Sequence, residues 1–135
     1  MQLRKYLISC LLLISIGCSN KKTYTPAENA LDAGREFIDG CLKGDFNKAD
    51  FYLQHNNTND SIFTKLKEAY QQKSNAEKKQ LQTASITILK VEEVSANITI
   101  ITYSNSFSNT TSVLKVIKNN NSWLIDANYT IKGNL

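Results

Sequence analysis

The chain changes its hydrophobic period once, near Leu81, and this change limits the possible folds more than any other feature. Before it, apolar residues recur at every third or fourth position, which is typical of helices that pack through one face. After it, apolar and polar residues alternate and β-branched residues are dense, which indicates strands. The sequence therefore predicts an α+β domain in which helices cover one face of an antiparallel sheet.

The first two helices have clear boundary residues. Thr25 is placed to cap the first helix, with Pro26 at its first position and Glu28 completing a capping box. Gly44 is expected to end this helix, and Asp45 to cap a short second one.

A third helix is predicted after the polar break at 54–59, capped by Asn59 or Asp60 and continuing to Gln80. Its first part has an apolar face, whereas residues 73–80 are almost wholly polar. This second part is therefore expected to be exposed or frayed.

Four strands are predicted in the second half of the chain, at 82–94, 96–106, 110–118 and 122–132. Their connections are short and rich in Ser and Asn, and 119–121 is a run of three Asn, which tolerates positive φ in tight turns. Consecutive short connections predict an antiparallel meander. The last strand is expected to place one apolar row, Trp123, Ile125, Ala127, Tyr129 and Ile131, on a single face.

Residues 1–17 have the pattern of a signal peptide. Arg4 and Lys5 precede a mostly apolar run from Tyr6 to Ile16, which is 11 residues long. A membrane-spanning helix needs about 20. This run is therefore predicted to be removed with the leader, by cleavage before Cys18.

The cleavage region, Gly17-Cys18 followed by polar Ser19, resembles the lipobox of bacterial lipoproteins, in which the cysteine becomes the lipidated first residue. Ser15 and Ile16 stand where that motif usually has Leu and a small residue, so an ordinary secretory signal is the alternative. The resemblance implies that Cys18 carries a lipid anchor that includes palmitate and that residues 18–25 form a tether. It also implies that the protein is in the bacterial cell envelope. Ser19 favours the outer membrane.

Two segments of the domain, at 42–49 and 123–127, resemble those of small bacterial lipoproteins of unknown function. They read "LKGDFNKA" at the helix joint and "WLIDA" in the last strand. Those proteins have a nuclear transport factor 2-like (cystatin-like) domain, which here covers residues 26–132. The resemblance implies a curved four-stranded sheet and a conical pocket, which relatives use for catalysis, for binding or for dimerisation. It implies a fold and sets no function.

Charge and cysteine content exclude several functions. Once Arg4 and Lys5 leave with the signal peptide, 14 of the 16 Lys and Arg residues remain against 12 Asp and Glu residues. This excess of positive charge is too small for a nucleic-acid-binding surface. Cys10 leaves with the leader and Cys18 takes lipid, so only Cys41 remains and no internal disulfide is expected. Cys41 and His55, the only histidine, cannot assemble a metal site from the usual N and S ligands, and no cofactor is expected.

Few residues offer chemistry to the domain. Asp126 alternates with Trp123 and Ile125, so it is expected on the sheet face away from the helices. If the sheet is turned the other way, Asp126 points into the pocket, where tyrosine hydroxyls from Tyr52, Tyr70, Tyr103 and Tyr129 could join it. His55 is expected in a solvated loop and Cys41 in the core. Asp60-Ser61-Ile62 resembles a bacterial O-glycosylation acceptor at Ser61.

Three functions follow from these residues. The leading one is a lipid-anchored, non-enzymatic module, with no catalytic residue, that binds an envelope protein or a small ligand. The second is a pocket hydrolase or isomerase that uses Asp126 and a tyrosine. The third is self-association as a homodimer through the exposed sheet face.

Overall fold

The computed structural model describes residues 22–130 of the 135-residue chain. Helices come first and strands second, which confirms the α+β class. The helices are α1 (Ala30–Lys43), α2 (Phe46–Phe51), α3 (Asn57–Gln71), α4 (Asn75–Gln82) and α5 (Ala127–Thr130). The strands are β1 (Ile86–Ser95), β2 (Ile98–Asn105), β3 (Ser112–Asn119) and β4 (Ser122–Asp126).

The four strands form one open antiparallel sheet in the order β1-β2-β3-β4, as the short connections predict. Asn120 and Asn121 both have positive φ, at 47° and 63°, and make the tight turn between β3 and β4. The β1–β2 register shifts next to Leu89 and again next to Val94, so β1 carries two irregularities at the edge of the sheet.

Helix α1 packs on one face of the sheet and contacts all four strands. Gly34 allows the close approach, because a Cβ atom there would lie 2.7 Å from Ile101 Cδ1. The largest fully buried apolar side chains come from α1, the α2–α3 segment and the three strands β2–β4. They are Phe37, Ile38, Leu53, Ile101, Tyr103, Leu114, Val116 and Ile125.

The joint between α1 and α2 is confirmed. Gly44 ends α1 with φ of 72°, a left-handed conformation that glycine adopts without strain. Asp45 caps α2, since its Oδ1 accepts the backbone N–H of Lys48 at 3.2 Å.

The predicted start of the first helix is wrong. The helix begins at Ala30, and its cap is Asn29, whose Oδ1 accepts the N–H of Asp32 at 2.9 Å. Thr25 and Pro26 precede the helix in a segment without regular secondary structure, and the carbonyl of Thr25 accepts a hydrogen bond from the Tyr52 hydroxyl at 2.7 Å. That contact holds Thr25 away from the capping position.

The predicted third helix is two helices with different caps. Asn56, not Asn59 or Asp60, caps α3 by accepting the N–H of Asn59 at 2.9 Å. The polar stretch 73–80 is not the frayed end of that helix, because Ser74 and Glu77 form a capping box that starts α4.

Both ends of the predicted strand region also differ. β1 begins at Ile86 rather than at 82, since α4 continues to Gln82. The last strand ends at Asp126, and residues 127–130 form α5, so Ala127 and Tyr129 do not continue the face of Ile125. The N–H of Asn128 donates to Asn59 Oδ1 at 3.0 Å instead of joining the sheet. Ile131 lies outside the described residues.

Candidate functional site

The sheet face away from the helices carries an apolar group that does not pack into the core. Ile98, Ile117 and Leu124 pair across β2, β3 and β4 and form a row on this open face. Ile100 and Val113 stand on the same face, because they alternate with the buried residues Ile101 and Leu114. All five are half-buried. The described helices therefore leave this part of the sheet uncovered.

A shallow depression of about 380 Å³ lies beside this row, where β3, β4 and α5 meet. The β3–β4 register places Lys115 opposite Asp126, and their side chains form an ion pair at 3.1 Å. Helix α5 adds Tyr129, whose ring centroid is 5.8 Å from Lys115 Nζ. The residues that line the depression are Val113, Lys115, Asp126, Asn128 and Tyr129. The depression thus combines a fixed charge pair with an exposed aromatic ring.

The interior cavity on the helical side is small. It lies among α1, α2, α3 and α4, and its free volume is about 20 Å³, which is room for one water molecule. Its lining is Cys41, Leu42, Phe46, Leu66, Ala69, Tyr70, Lys73 and Leu81, with no carboxylate or histidine. Burial raises the pKa of the Cys41 thiol, which keeps it protonated and unreactive at neutral pH.

Two hydroxyls are buried in the core and have no protein partner among the described residues except each other. They belong to Tyr103 on β2 and Ser112 on β3, which face each other in the strand register. Burial raises the pKa of Tyr103, and the interaction with the Ser112 hydroxyl opposes this rise. A buried tyrosine usually has a well-placed partner for its hydroxyl, whereas the contact with Ser112 does not have standard hydrogen-bond geometry, so this hydroxyl is expected to add little stability.

Replacing Tyr103 by phenylalanine is expected to leave the free energy of unfolding unchanged or to raise it by up to about 1 kcal/mol. The ring stays in place and the substitution removes only a hydroxyl whose contact with Ser112 is poorly aligned. Urea unfolding of the two proteins measures the difference. A loss of more than about 1 kcal/mol would mean that the hydroxyl has a stabilising partner.

His55 lies at the surface in the α2–α3 connection, as expected. Its Nδ1 is 2.8 Å from Asp60 Oδ1, and its Nε2 is 3.8 Å from Asp50 Oδ2. The hydrogen bond with Asp60 raises the pKa of His55 above its ordinary value of 6.5. The charged form is therefore the one that the fold stabilises.

This ion pair predicts a pH dependence of stability. Because the folded pKa of His55 is raised, its contribution is fully present below pH 6.5 and is lost as the pH rises through the folded value. The His55 ring resonances, followed by NMR titration, are expected to give a midpoint above 6.5, and Asp60→Asn is expected to lower it. The same midpoint in both proteins would contradict the role of Asp60.

The structure brings together some of the predicted residues and separates others. Asp126 and Tyr129 share the depression, whereas the Tyr103 side chain is on the opposite face of the sheet. Tyr52 and Tyr70 lie in the helical layer. Sequence reasoning missed Lys115, although its alternation with Leu114 and Val116 places it on the face predicted for Asp126.

The other predicted positions bear on modification and anchoring. Ser61 is exposed in the first turns of α3. Cys18 and the predicted signal peptide lie outside the described residues. No helix within residues 22–130 has both the length and the apolar character to cross a bilayer. The same residues contain no group of His, Cys, Asp and Glu side chains suited to a metal ion.

Comparison of the chain with protein-family models, with curated proteins and with solved structures finds no significant match.

Proposed function

We propose that this chain is a lipid-anchored protein of the bacterial cell envelope, placed in the outer membrane by lipid on Cys18. Its nuclear transport factor 2-like domain binds a protein partner without catalysis, through the open face of the sheet. The observation that carries this proposal is the uncovered apolar row of Ile98, Ile117 and Leu124 beside the Lys115–Asp126 pair.

The composition of the open face suits a protein partner. Protein interfaces have an apolar centre and a polar rim, and tyrosine is enriched in them. Here the apolar row is the centre, and the ion pair and Tyr129 lie at its side. Small-molecule sites are enclosed and mostly apolar. The depression is only partly enclosed, and the apolar row beside it extends the apolar surface across three strands, which favours a protein over a small ligand.

The anchor rests on the sequence of the first eighteen residues. A short apolar run followed by Gly17-Cys18 supplies the processing signal and the lipid acceptor. The order of helices and strands, with helices on one side of an antiparallel meander, supports the nuclear transport factor 2-like fold.

The anchor is tested by replacing Cys18 with alanine and fractionating cells. The full-length wild-type protein is expected in the membrane fraction and the variant in the soluble fraction. Cys41→Ala is the matched control and should fractionate as wild type, because its thiol is buried in the domain. Cys18→Ala protein that stays in the membrane would contradict a lipid anchor.

The binding face is tested by a photo-crosslinking residue placed at Ile117 on the open face, with Lys67 on the exposed side of α3 as control. We expect one discrete crosslinked product when the photo-crosslinking residue is at position 117 and none when it is at position 67. Adding Leu124→Arg should abolish the product at position 117. A product of twice the chain mass would instead indicate a homodimer. No product at Ile117, with binding of a small molecule retained, would indicate a small ligand and overturn the protein-partner proposal.

One observation favours the enzymatic alternative. Asp126, Lys115 and Tyr129 share one depression, so an acid, an amine and a hydroxyl group lie close together. Hydrolysis of p-nitrophenyl acetate by the purified protein, abolished by Asp126→Ala and retained in Asp50→Ala, would support this alternative. It would also contradict the non-catalytic proposal.

A further inference from the structure

Residues 22–29, here called the strap, pack against the domain although the sequence places 22–25 in the tether. Lys22 Nζ lies 2.9 Å from Asp45 Oδ2, and the Tyr24 hydroxyl donates to Asp45 Oδ1 at 2.9 Å. The Tyr52 hydroxyl donates to the carbonyl of Thr25 at 2.7 Å. The strap is therefore held at two successive points.

The strap runs back along the length of α1. It contacts Asp45, just after the C-terminal end of α1, and ends at Asn29, which caps the N-terminal end. Helix α1 has 14 residues and is about 21 Å long. The two ends of the strap thus lie at opposite ends of α1, and Lys22 is at the α2 end.

Asp45 makes the first of these contacts with a carboxylate that has another role. It also caps α2 through the N–H of Lys48. Burial opposes its ionisation, but the hydrogen bonds from Lys22, Tyr24 and that N–H outweigh burial and lower the pKa of Asp45 below its ordinary 3.8. The carboxylate is therefore ionised at neutral pH, and the contact with the strap is intact there.

We infer that the strap is a latch that orients the domain on the lipid surface, with α2 and the C-terminal end of α1 nearest the bilayer. This inference rests on the proposed lipid at Cys18. Lys22 is four positions after Cys18, a reach of about 14 Å when the chain is extended. Without the contacts to Asp45 and to Tyr52, the tether would extend to Asn29 and reach about 38 Å, more than the length of α1, and any face could turn to the membrane.

The tether sets this orientation, and attraction of charged side chains to lipid headgroups does not, because the positive and negative charges at the α2 end largely cancel. Lys43 pairs with Asp39, and Lys48 with Glu36 and Asp39. Phe51, which is 41% exposed, packs its ring 5.8 Å from that of Tyr24 and places an aromatic side chain at the same end. Aromatic rings suit the bilayer interface, so Phe51 is compatible with this placement.

The test uses the full-length lipidated protein in vesicles of phosphatidylethanolamine and phosphatidylglycerol that carry a nitroxide on the lipid headgroup. A fluorophore is attached at Asn47→Cys, in the first turn of α2, or at Glu28→Cys, at the other end of α1. We expect several-fold stronger quenching at position 47. The latch is opened with Lys22→Ala, Tyr24→Phe and Tyr52→Phe, which remove the strap contacts to Asp45 and the hydrogen bond to Thr25 but leave the Asp45 cap of α2 intact. The fluorophores at positions 47 and 28 should then be quenched to the same extent.

Equal quenching at positions 47 and 28 with the latch intact would overturn the inference, and so would an unchanged difference after the latch is opened. Arg35→Ala, an exposed change elsewhere on α1, is the control and should preserve the difference. Quenching at neither position, together with loss of protein from the vesicles, would contradict the lipid anchor itself and the inference that depends on it. Protein that stays bound but quenches equally contradicts the latch alone.

Discussion

Replacing Asn59 by alanine is expected to lower the free energy of unfolding by about 2–4 kcal/mol. The Asn59 side chain is fully buried, and it joins three parts of the chain. Its Nδ2 donates to the carbonyl of Gln54 at 2.8 Å, and its Oδ1 accepts the N–H of Asn128 at 3.0 Å. The substitution leaves both backbone groups without their partner. Chemical denaturation measures the loss.

The matched control is Asn57→Ala. Asn57 is exposed and is the first residue of α3, two positions before Asn59. It should change the free energy of unfolding by less than about 0.5 kcal/mol, as surface substitutions usually do. Equal effects of the two substitutions would contradict the role of Asn59 and would point to helix propensity instead.

Replacing Gly40 by alanine is expected to destabilise the fold by about 1–3 kcal/mol. A Cβ atom at this position would lie 2.8 Å from the backbone N of Ala49 and 3.0 Å from the backbone O of Asp45. Relief requires a shift of α2 against α1, since neither contact is a side-chain tip. The cost is expected to exceed the gain of about 1 kcal/mol that alanine brings to a helix interior. Thermal and urea unfolding both report it.

Gly34→Ala is the matched control because it has the same gain in helix propensity. Its closest contact, at 2.7 Å, is the terminal Cδ1 of Ile101, and a terminal methyl can move more easily than backbone. We expect Gly34→Ala to be clearly milder than Gly40→Ala. The reverse order would show that the α1–sheet contact is tighter than the α1–α2 contact.

Much of the fold could be predicted from local pattern. The change of period near Leu81 separates helices from strands, and the joint at Gly44 and Asp45 depends only on residues that are adjacent in sequence. The turn at Asn120 and Asn121 is equally local. These predictions succeed because the physical cause lies within a few residues of its effect.

The errors occur where a distant side chain decides between two local possibilities. Both Thr25 and Asn29 can cap a helix, and the hydrogen bond from Tyr52 to the Thr25 carbonyl favours Asn29. Alternation continues past Asp126, but Asn59 takes the N–H of Asn128 and the strand ends. Neither partner can be identified from the sequence around the affected position.

The candidate site is divided in the same way. The face of Asp126 could be predicted from its alternation with Ile125, which is buried. Its partner Lys115 depends on the β3–β4 register, and Tyr129 on α5, so the depression could not be assembled from sequence. The strap was missed for a related reason, because its contacts are with Asp45 and Tyr52, more than twenty positions along the chain.

The position of α1 has a consequence for how the chain acquires its structure during synthesis. Its buried face is completed by Ile101, Leu114 and Val116, which lie next to Gly34 but are made some seventy residues later. The ribosome delivers the helices first and the surface that they pack on last. A nascent chain that stops before β3 would therefore leave the face of α1 around Gly34 uncovered, and cooperative folding should await the synthesis of β3.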